Sequence, residues 1–159
     1  MKLQYGKSWF RVKREMTELW AAPKAEKAHL NRLPYAVLIQ ADQKKECFLE
    51  FNNSYIGVGF LDAYGREFLS YQFQEIEPGR LFLSMVTHRE FDADLSQIVG
   101  GTTYVFKPDG NMIIKKENFN KKLTEVSELN VDISANWDTY PKFGQYVQLI
   151  KIERFNPIR

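Results

Sequence analysis

From Pro34 onward, apolar and polar residues alternate over short runs that are separated by turn-forming residues. A period of two places alternate side chains on opposite faces of a pleated strand, so each run predicts a half-buried β-strand. The predicted strands cover residues 35–40, 46–51, 54–62, 66–76, 80–91, 102–108, 112–119, 122–134 and 147–155. Strands that recur with short connections form an antiparallel meander, here over residues 35–155. Because sheets protect their edges, we predict a strongly curved antiparallel sheet or a barrel of about eight strands.

The connections between these runs contain residues that suit tight turns. Asn52-Asn53 joins two of the strands, and Gly65 ends a turn at the position that favours a left-handed backbone. Gly79 follows a proline in the next turn, and Gly110 lies in the strongest hairpin signal of the chain. These connections are too short for crossovers, so neighbouring strands are expected to pair with each other.

Residues 8–21 are ambiguous between a helix and a strand. Apolar residues recur there at helical spacing, Ser8 is a possible N-cap, and Lys, Arg, Glu, Met and Leu are good helix formers. Alternate residues of the same segment also share strand parity. We predict a helix over 8–21 and a short second helix over 24–31, which makes 8–31 a helical N-terminal segment. The predicted fold class is mainly β (α+β), in a single domain over residues 1–159 with one or two N-terminal helices.

Composition and charge are those of an ordinary soluble domain. The chain has 159 residues, a net charge of +2 at pH 7, and 12 Phe, 8 Tyr and 3 Trp, which favour sheets and large packed interiors. No apolar run matches a signal peptide or a membrane span, so a cytoplasmic location and no membrane partner are expected. The single cysteine, Cys47, excludes an internal disulfide, and its place in an apolar strand predicts a buried, unreactive thiol.

The stretch Gly57-Val58-Gly59 raises the question of a phosphate-binding loop. A dinucleotide fingerprint needs a third glycine and the start of a helix, and neither is present here. By strand parity Ile56, Val58 and Phe60 share an apolar face, and both glycines leave a gap on the other face. The sequence therefore predicts a bent strand, or a place where a ligand or partner approaches the backbone.

The other candidates for chemistry have simple structural explanations. His88 and Glu90 share one face of a strand, where an exposed charged set is commoner than a catalytic pair. With only His29 as a second histidine, no multi-histidine metal site is expected, and no cofactor site is predicted. Two basic clusters alternate with glutamates: Lys7, Arg11, Lys13 and Arg14, and Lys115, Lys116, Lys121 and Lys122. We predict no enzymatic activity.

Several stretches resemble small uncharacterised bacterial proteins associated with toxin–immunity loci, such as those of contact-dependent growth inhibition. These stretches are KSWFRVKREMTELWAAP, LNRLPYAVLIQ, ECFLEFNNSYIGVGFLD, FQEIEPGRLFLSM and GTTYVFKPDGN. The resemblance implies a small, cytoplasmic, non-enzymatic immunity protein that binds and neutralises one cognate toxin domain. It implies no residue roles.

Strand parity alone suggests where such a partner would bind. Aromatic residues and arginine make good interface anchors when polar residues surround them. The candidate partner-binding residues are Tyr55, Tyr64, Tyr71, His88, Arg89 and Glu90, which are expected on the outward faces of neighbouring strands. Two alternatives remain open: a calycin-like (lipocalin-like) barrel that holds a small apolar molecule, and a single-stranded nucleic-acid binder.

Overall fold

The computed structural model describes residues 1–93 and 97–152 and is mainly β, with 56% of these residues in strands. The elements in chain order are β1 (Lys2–Gly6), β2 (Trp9–Phe10), β3 (Glu15–Met16), β4 (Leu19–Trp20), α1 (Ala22–Leu30), β5 (Tyr35–Ala41), β6 (Lys44–Phe51), β7 (Tyr55–Leu61), β8 (Glu67–Glu77), β9 (Arg80–Phe91), β10 (Ile98–Phe106), β11 (Asn111–Asn118), β12 (Leu123–Asn130), a 3₁₀ turn (Ser134–Asn136) and β13 (Trp137–Thr139). A single α-helix therefore accompanies the strands in the described part of the chain.

Eleven strands form one antiparallel sheet in the order β12-β11-β10-β9-β8-β7-β6-β5-β1-β4, with β13 beside the first residues of β9. From β5 to β12 each strand pairs with the next one in sequence, which confirms the predicted meander of short connections. Within the described residues the sheet is not closed, because β12 and β4 lie at its two ends. The predicted barrel and the count of about eight strands are therefore not confirmed.

Turn chemistry fixes the hairpins as the sequence predicted. Gly65, Gly79 and Gly110 all have positive φ, at 76°, 77° and 93°. At the β7–β8 connection, Asp62 Oδ1 accepts hydrogen bonds from the backbone N–H groups of Tyr64 and Arg66. The Asp62 side chain thus stabilises the turn that connects β7 to β8.

The main core lies between one face of the sheet and a cover made of α1 and residues 131–150. Ile56, Val58 and Phe60 of β7 are all buried in this core, as their shared parity predicted. Tyr146 and Leu149 enter it from the cover. The opposite face, called here the polar face, carries a small second apolar cluster around Trp9, Leu38, Phe48 and Leu61.

The predicted helix over residues 8–21 is wrong, whereas the helix predicted at 24–31 is α1. Residues 8–21 contain β2, β3 and β4, and the hairpin of β2 and β3 pairs Trp9 with Met16. Trp9 is buried against the polar face, and Met16, its partner across the hairpin, packs on the same side. Tertiary packing thus overrides the helix propensity of this polar segment.

The predicted strand at 147–155 is wrong over its described part, and residues 153–155 lie outside the described residues. Residues 147–150 form a turn in which the Leu149 N–H donates to the Tyr146 carbonyl oxygen. The side chains of Tyr146 and Leu149 are both buried, so this turn contributes to the main core from the cover and does not join the sheet. Two further predicted strands have other limits: β10 begins at Ile98, before the predicted residue 102, and β12 ends at Asn130, before the predicted residue 134.

Candidate binding site on the polar face

Two rows of directly paired residues cross β6, β7, β8 and β9 on the polar face. Residues opposite each other on antiparallel neighbours share a face of the sheet, so each row is a continuous strip of side chains. The first row comprises Glu50, Gly57, Gln72 and Met85, and the second comprises Phe48, Gly59, Ser70 and Thr87. The glycines of β7 therefore lie in the middle of the polar face, between side chains from three other strands.

A cavity of about 380 Å³, called here the Gly57 pocket, lies in the first row. A Cβ atom built on Gly57 would meet no heavy atom within 4 Å, so the missing side chain is replaced by open space. Residues that line the pocket include Tyr55, Gln72, Met85, Thr87 and Arg89. The gap that the sequence predicted on this side of β7 is a real depression in the surface.

Gly59 has a different role, because the ring of Phe48 occupies the space that its side chain would fill. A Cβ atom there would collide with Phe48 Cε1 and Cζ and lie 2.9 Å from Glu67 Oε1. The Phe48 ring stacks on Trp9 with 4.9 Å between ring centroids and an angle of 14°. Gly59 thus allows an aromatic pair to lie flat on the sheet and hold the β2–β3 hairpin over it.

A chain of ion pairs borders the Gly57 pocket. Arg11, at the end of the β2–β3 hairpin, donates from Nη2 to Glu50 Oε1 at 2.6 Å and from Nε to Glu67 Oε2 at 3.3 Å. Arg89 Nη1 lies 3.9 Å from Glu67 Oε1 and donates to Ser70 Oγ at 3.0 Å. Glu67 therefore stands between two guanidinium groups, and the hairpin, β6, β8 and β9 are joined through charged side chains.

Within this row of ion pairs, the carboxylates stabilise the positive charge of Arg11. Burial alone lowers the pKa of Arg11, but the carboxylates of Glu50 and Glu67 outweigh it, so the pKa is raised above its ordinary value. The side chain of Arg11 remains more than half exposed and that of Arg89 about one quarter exposed. Exposed pairs of this kind contribute little to stability, so the network is better suited to fixing side-chain positions at a surface.

A second cleft of about 270 Å³ lies on the other side of the Arg11–Glu67–Arg89 chain. Its apolar lining includes Trp9, Leu61 and Phe91, and Arg66 lies at its border. The Arg66 guanidinium donates to Asp62 Oδ2 at 2.7 Å and lies 4.8 Å from the centroid of the Phe91 ring. Although partial burial raises the pKa of Asp62, hydrogen bonds from Arg66 and from backbone N–H groups outweigh this and lower it overall.

The structure separates the six residues that the sequence selected. Tyr55 and Arg89 both line the Gly57 pocket. Tyr64 lies in the β7–β8 turn and is 71% exposed, with its ring 4.9 Å from the Arg66 guanidinium carbon. His88 and Glu90 are exposed, but alternation along β9 places them on the face opposite to Arg89.

Tyr71 corrects the expectation that its side chain faces outward. Its residue borders the Gly57 pocket, but its side chain is only 2% exposed and belongs to the main core. The Tyr71 hydroxyl lies 2.8 Å from the carbonyl oxygen of Ile152 and 3.0 Å from that of Lys151. Tyr71 therefore attaches residues 151–152, directly after the cover, to the sheet.

Sequence reasoning missed the residues that complete the site. Arg11 and Glu67 are 56 positions apart, and Arg11 fell in a segment predicted as helix. Glu50, Gln72 and Thr87 carry no motif, and only the register of four consecutive strands brings them together. The signal present in the sequence was the pair of glycines, which marked the strand over which the pocket lies.

A reactive thiol and a metal site are the other kinds of chemistry that the sequence raised. Cys47 is buried, and burial, with Glu46 nearby, raises the pKa of its thiol to about 12. Among residues 1–93 and 97–152, no group of three or more His, Cys, Asp or Glu side chains is arranged to hold a metal ion. No helix within the same two ranges has the length and apolar character of a membrane span.

Comparisons of the chain with models of known protein families, with curated proteins and with solved structures give no match.

Proposed function

We propose that this chain is a non-enzymatic binding protein of the immunity type, which neutralises a cognate bacterial toxin domain in the cytoplasm. The proposal rests on the Gly57 pocket, with Tyr55 and Arg89 at its border, together with the sequence resemblance to immunity proteins. A partner that inserts one side chain over Gly57 would contact backbone, aromatic and charged groups at once. Neutralisation would follow if the inserted segment belonged to the toxin's active site or substrate-binding surface.

The pocket is bordered by residue types that are common at the centre of protein–protein interfaces. Tyrosine and arginine are the residue types that most often dominate binding energy when they border a desolvated pocket. Tyr55 is 41% exposed at the start of β7, and Arg89 is held in place by Ser70 and Glu67. Because Arg89 is held in place before binding, its ordering costs little conformational entropy when a partner binds.

The ion pairs beside the pocket favour recognition of a charged partner. Each cation in the chain Glu50–Arg11–Glu67–Arg89 has an acidic neighbour within 4 Å. A partner surface with both acidic and basic groups can form new ion pairs with these arginines and glutamates and leave no charge unpaired. A partner surface with charges of one sign cannot. Electrostatic complementarity of this kind selects the correct partner more than it raises affinity.

A leucine at Gly57 tests the proposal. The toxin domain encoded immediately upstream would be co-expressed with this chain, and complex formation and cell survival would be measured. We expect the wild-type chain to form a stable complex and restore growth. Gly57→Leu should weaken binding by at least about 100-fold, because the new side chain fills the pocket that the partner occupies.

The matched control is Thr139→Leu, which adds a leucine at an exposed position of β13. It should bind and protect like the wild-type chain. Because Gly57 has free space around it, Gly57→Leu should retain the wild-type unfolding midpoint, which separates loss of binding from loss of fold. An upstream gene unrelated to any secreted toxin, or a toxin domain that binds both leucine variants equally, would contradict the proposal.

The volume of the pocket supports a second candidate, a small-molecule binder. About 380 Å³ lies within the range of ligand pockets, roughly 300–1,000 Å³. Such a ligand would bind on the polar face, in contrast to the closed barrel interior of the calycin-like alternative. Calorimetry with a metabolite library would distinguish the two candidates, since a ligand that binds wild type but not Gly57→Leu would favour the small-molecule function.

A further inference from the structure

The strand β12 forms an open edge of the sheet. All eight of its residues are exposed, and within the described part of the chain it pairs only with β11. Leu123, Val126 and Leu129 are 55%, 66% and 43% exposed along this edge. A long and partly apolar edge strand of this kind offers unpaired N–H and C=O groups to another strand.

Backbone parity shows which residues of β12 offer those groups. The register pairs Leu129 with Met112, and one position beyond the strand the Val131 N–H donates to the Gly110 carbonyl oxygen. Hydrogen-bonded pairs alternate along an antiparallel ladder, so the backbone groups of residues 123, 125, 127 and 129 face β11. The backbone groups of Thr124, Val126 and Glu128 therefore point away from the sheet.

We infer that β12 pairs with β12 of a second copy of this chain, antiparallel and centred on Val126. A two-fold axis through a hydrogen-bonded pair requires the central residue to point its backbone groups outward, as Val126 does. Glu125 and Ser127 point theirs inward, so either could be the centre only through a non-hydrogen-bonded pair. Two copies then share one continuous sheet. This surface is separate from the Gly57 pocket and does not depend on the proposed function.

Side-chain charges favour the same register. With Val126 opposite Val126 of the second copy, Glu125 lies opposite Ser127 and Glu128 lies opposite Thr124. Centring the pair on Thr124 or Glu128 would pair fewer residues of β12 than centring it on Val126. Centring it on Glu125 would place two glutamates opposite each other, and like charges directly opposite on a sheet are destabilising. Centring it on Ser127 would place Val126 opposite Glu128 and Leu129 opposite Glu125, so each of these apolar side chains would face a carboxylate.

The apolar residues are matched in this register too. Leu123 lies opposite Leu129 of the second copy on one face, and the two valines meet on the other face. Each leucine is about half exposed in the single copy, so pairing removes apolar surface from water as well as completing backbone hydrogen bonds. The contact is nevertheless smaller than a standard interface, so we expect a reversible dimer that dissociates on dilution.

A cysteine at the centre of the edge tests both the dimer and its register. Opposed residues of a hydrogen-bonded pair have Cα atoms about 5.5 Å apart, which a disulfide can span. Val126→Cys, oxidised with glutathione disulfide, should give a covalent dimer on a non-reducing gel. The native Cys47 is 2% exposed and should not contribute.

Thr124→Cys is the matched control, because in this register each introduced thiol faces Glu128 and lies four residues, or roughly 13 Å, from its counterpart. It should stay monomeric on the gel under the same oxidation. Equal cross-linking of both variants, or of neither, would overturn the inferred register.

Sedimentation of the untreated protein gives an independent measurement. The wild-type chain should shift from monomer to dimer as its concentration rises, and Val126→Thr should behave alike. Val126→Pro removes an N–H that β11 does not use, and Val126→Lys opposes two ammonium groups, so each should weaken the dimer at least about tenfold. A chain that stays monomeric at about 1 mM, or a dimer that both variants leave intact, would overturn the inference, and the second result would place the dimer contact elsewhere.

Discussion

At the scale of single residues, Gly57 and Gly59 look equivalent in the sequence and differ completely in the structure. Both belong to β7 and face the same side of the sheet. Space is empty above Gly57, whereas the Phe48 ring lies directly on Gly59. The difference arises from a neighbouring strand and cannot be read from β7 alone. Gly57 leaves space for a pocket, and Gly59 leaves space for the stacked rings of Phe48 and Trp9.

This difference predicts opposite effects of the same substitution. Gly59→Ala forces apart the Phe48 ring and the strand beneath it, so we expect a loss of about 1–3 kcal/mol in the free energy of unfolding. Gly57→Ala meets no atom and restricts the unfolded chain, so it should be neutral or stabilising by about 0.5 kcal/mol. Urea denaturation of both variants measures this contrast. Equal destabilisation would mean that the Phe48 ring can move aside at no cost.

At the scale of elements, the β2–β3 hairpin is a short ribbon held mainly by one side chain. Each of its strands has two residues, so its own hydrogen bonds cannot keep it folded. Trp9 is 5% exposed and packs against Leu38, Phe48 and Leu61. The hairpin in turn carries Arg11 to the border of the Gly57 pocket. Packing of one aromatic residue thus positions a charged residue two places further along.

Trp9→Ala should therefore release the hairpin and disturb the site. We expect a loss of about 3 kcal/mol, the usual cost of truncating a buried aromatic side chain. Hydrogen exchange of amides in residues 7–17 should accelerate more than that of β7 and β8, because the main core lies on the other face of the sheet. Phe10→Ala is the control, since Phe10 is 40% exposed and should cost less than about 0.5 kcal/mol. Uniform acceleration across the sheet would show that the hairpin is an integral part of the fold.

The elements also show how far the sequence could be interpreted. Strands β5 to β9 were predictable because alternation and turn residues agree there, and β9 has the limits 80–91 that were predicted. The segment 8–21 was not predictable, because helix propensity and strand parity conflict and a distant partner, Phe48, decides between them. Tyr55 and Arg89 could be proposed from strand parity, which is a local property of the sequence. Arg11 and Glu67 could not, because only the pairing of distant segments brings them to the site.

At the scale of the whole molecule, His29 connects the helix, the sheet and the C-terminal cover. It is 6% exposed on α1, and its Nε2 lies 3.0 Å from the Pro141 carbonyl oxygen. A carbonyl only accepts, so Nε2 carries the proton and neutral Nδ1 accepts from the Tyr35 hydroxyl at 2.8 Å. Tyr35 then accepts from the Tyr146 hydroxyl at 3.2 Å. Three parts of the chain share one directed row of hydrogen bonds.

Protonation of His29 would disrupt this row, because Nδ1 would become a donor facing a hydroxyl that already donates to it. Burial lowers the pKa of His29, the positive charge of Arg32 lowers it further, and the Pro141 contact and Glu26 oppose them without restoring the ordinary value. The folded state therefore holds the imidazole neutral at a pH where the unfolded chain, with a pKa of about 6.5, is already protonated. The stabilisation is complete above that pH and is lost as the pH falls toward the lower pKa of the folded state.

We therefore expect the free energy of unfolding to decrease between about pH 7 and pH 5, with a contribution from His29 of at most about 1.4 kcal/mol per pH unit. His29→Gln cannot titrate, so its stability at neutral pH should be lower but the His29 part of the slope should disappear. Urea denaturation at pH 7.5, 6.5 and 5.5, values that span the roughly 6.5 pKa of an unfolded histidine, gives both quantities. His88→Gln removes the other histidine of the chain and should keep the His29 part of the slope, because His29 is intact. If the slope survived in His29→Gln but not in His88→Gln, the buried row of hydrogen bonds would not be the origin of the acid sensitivity.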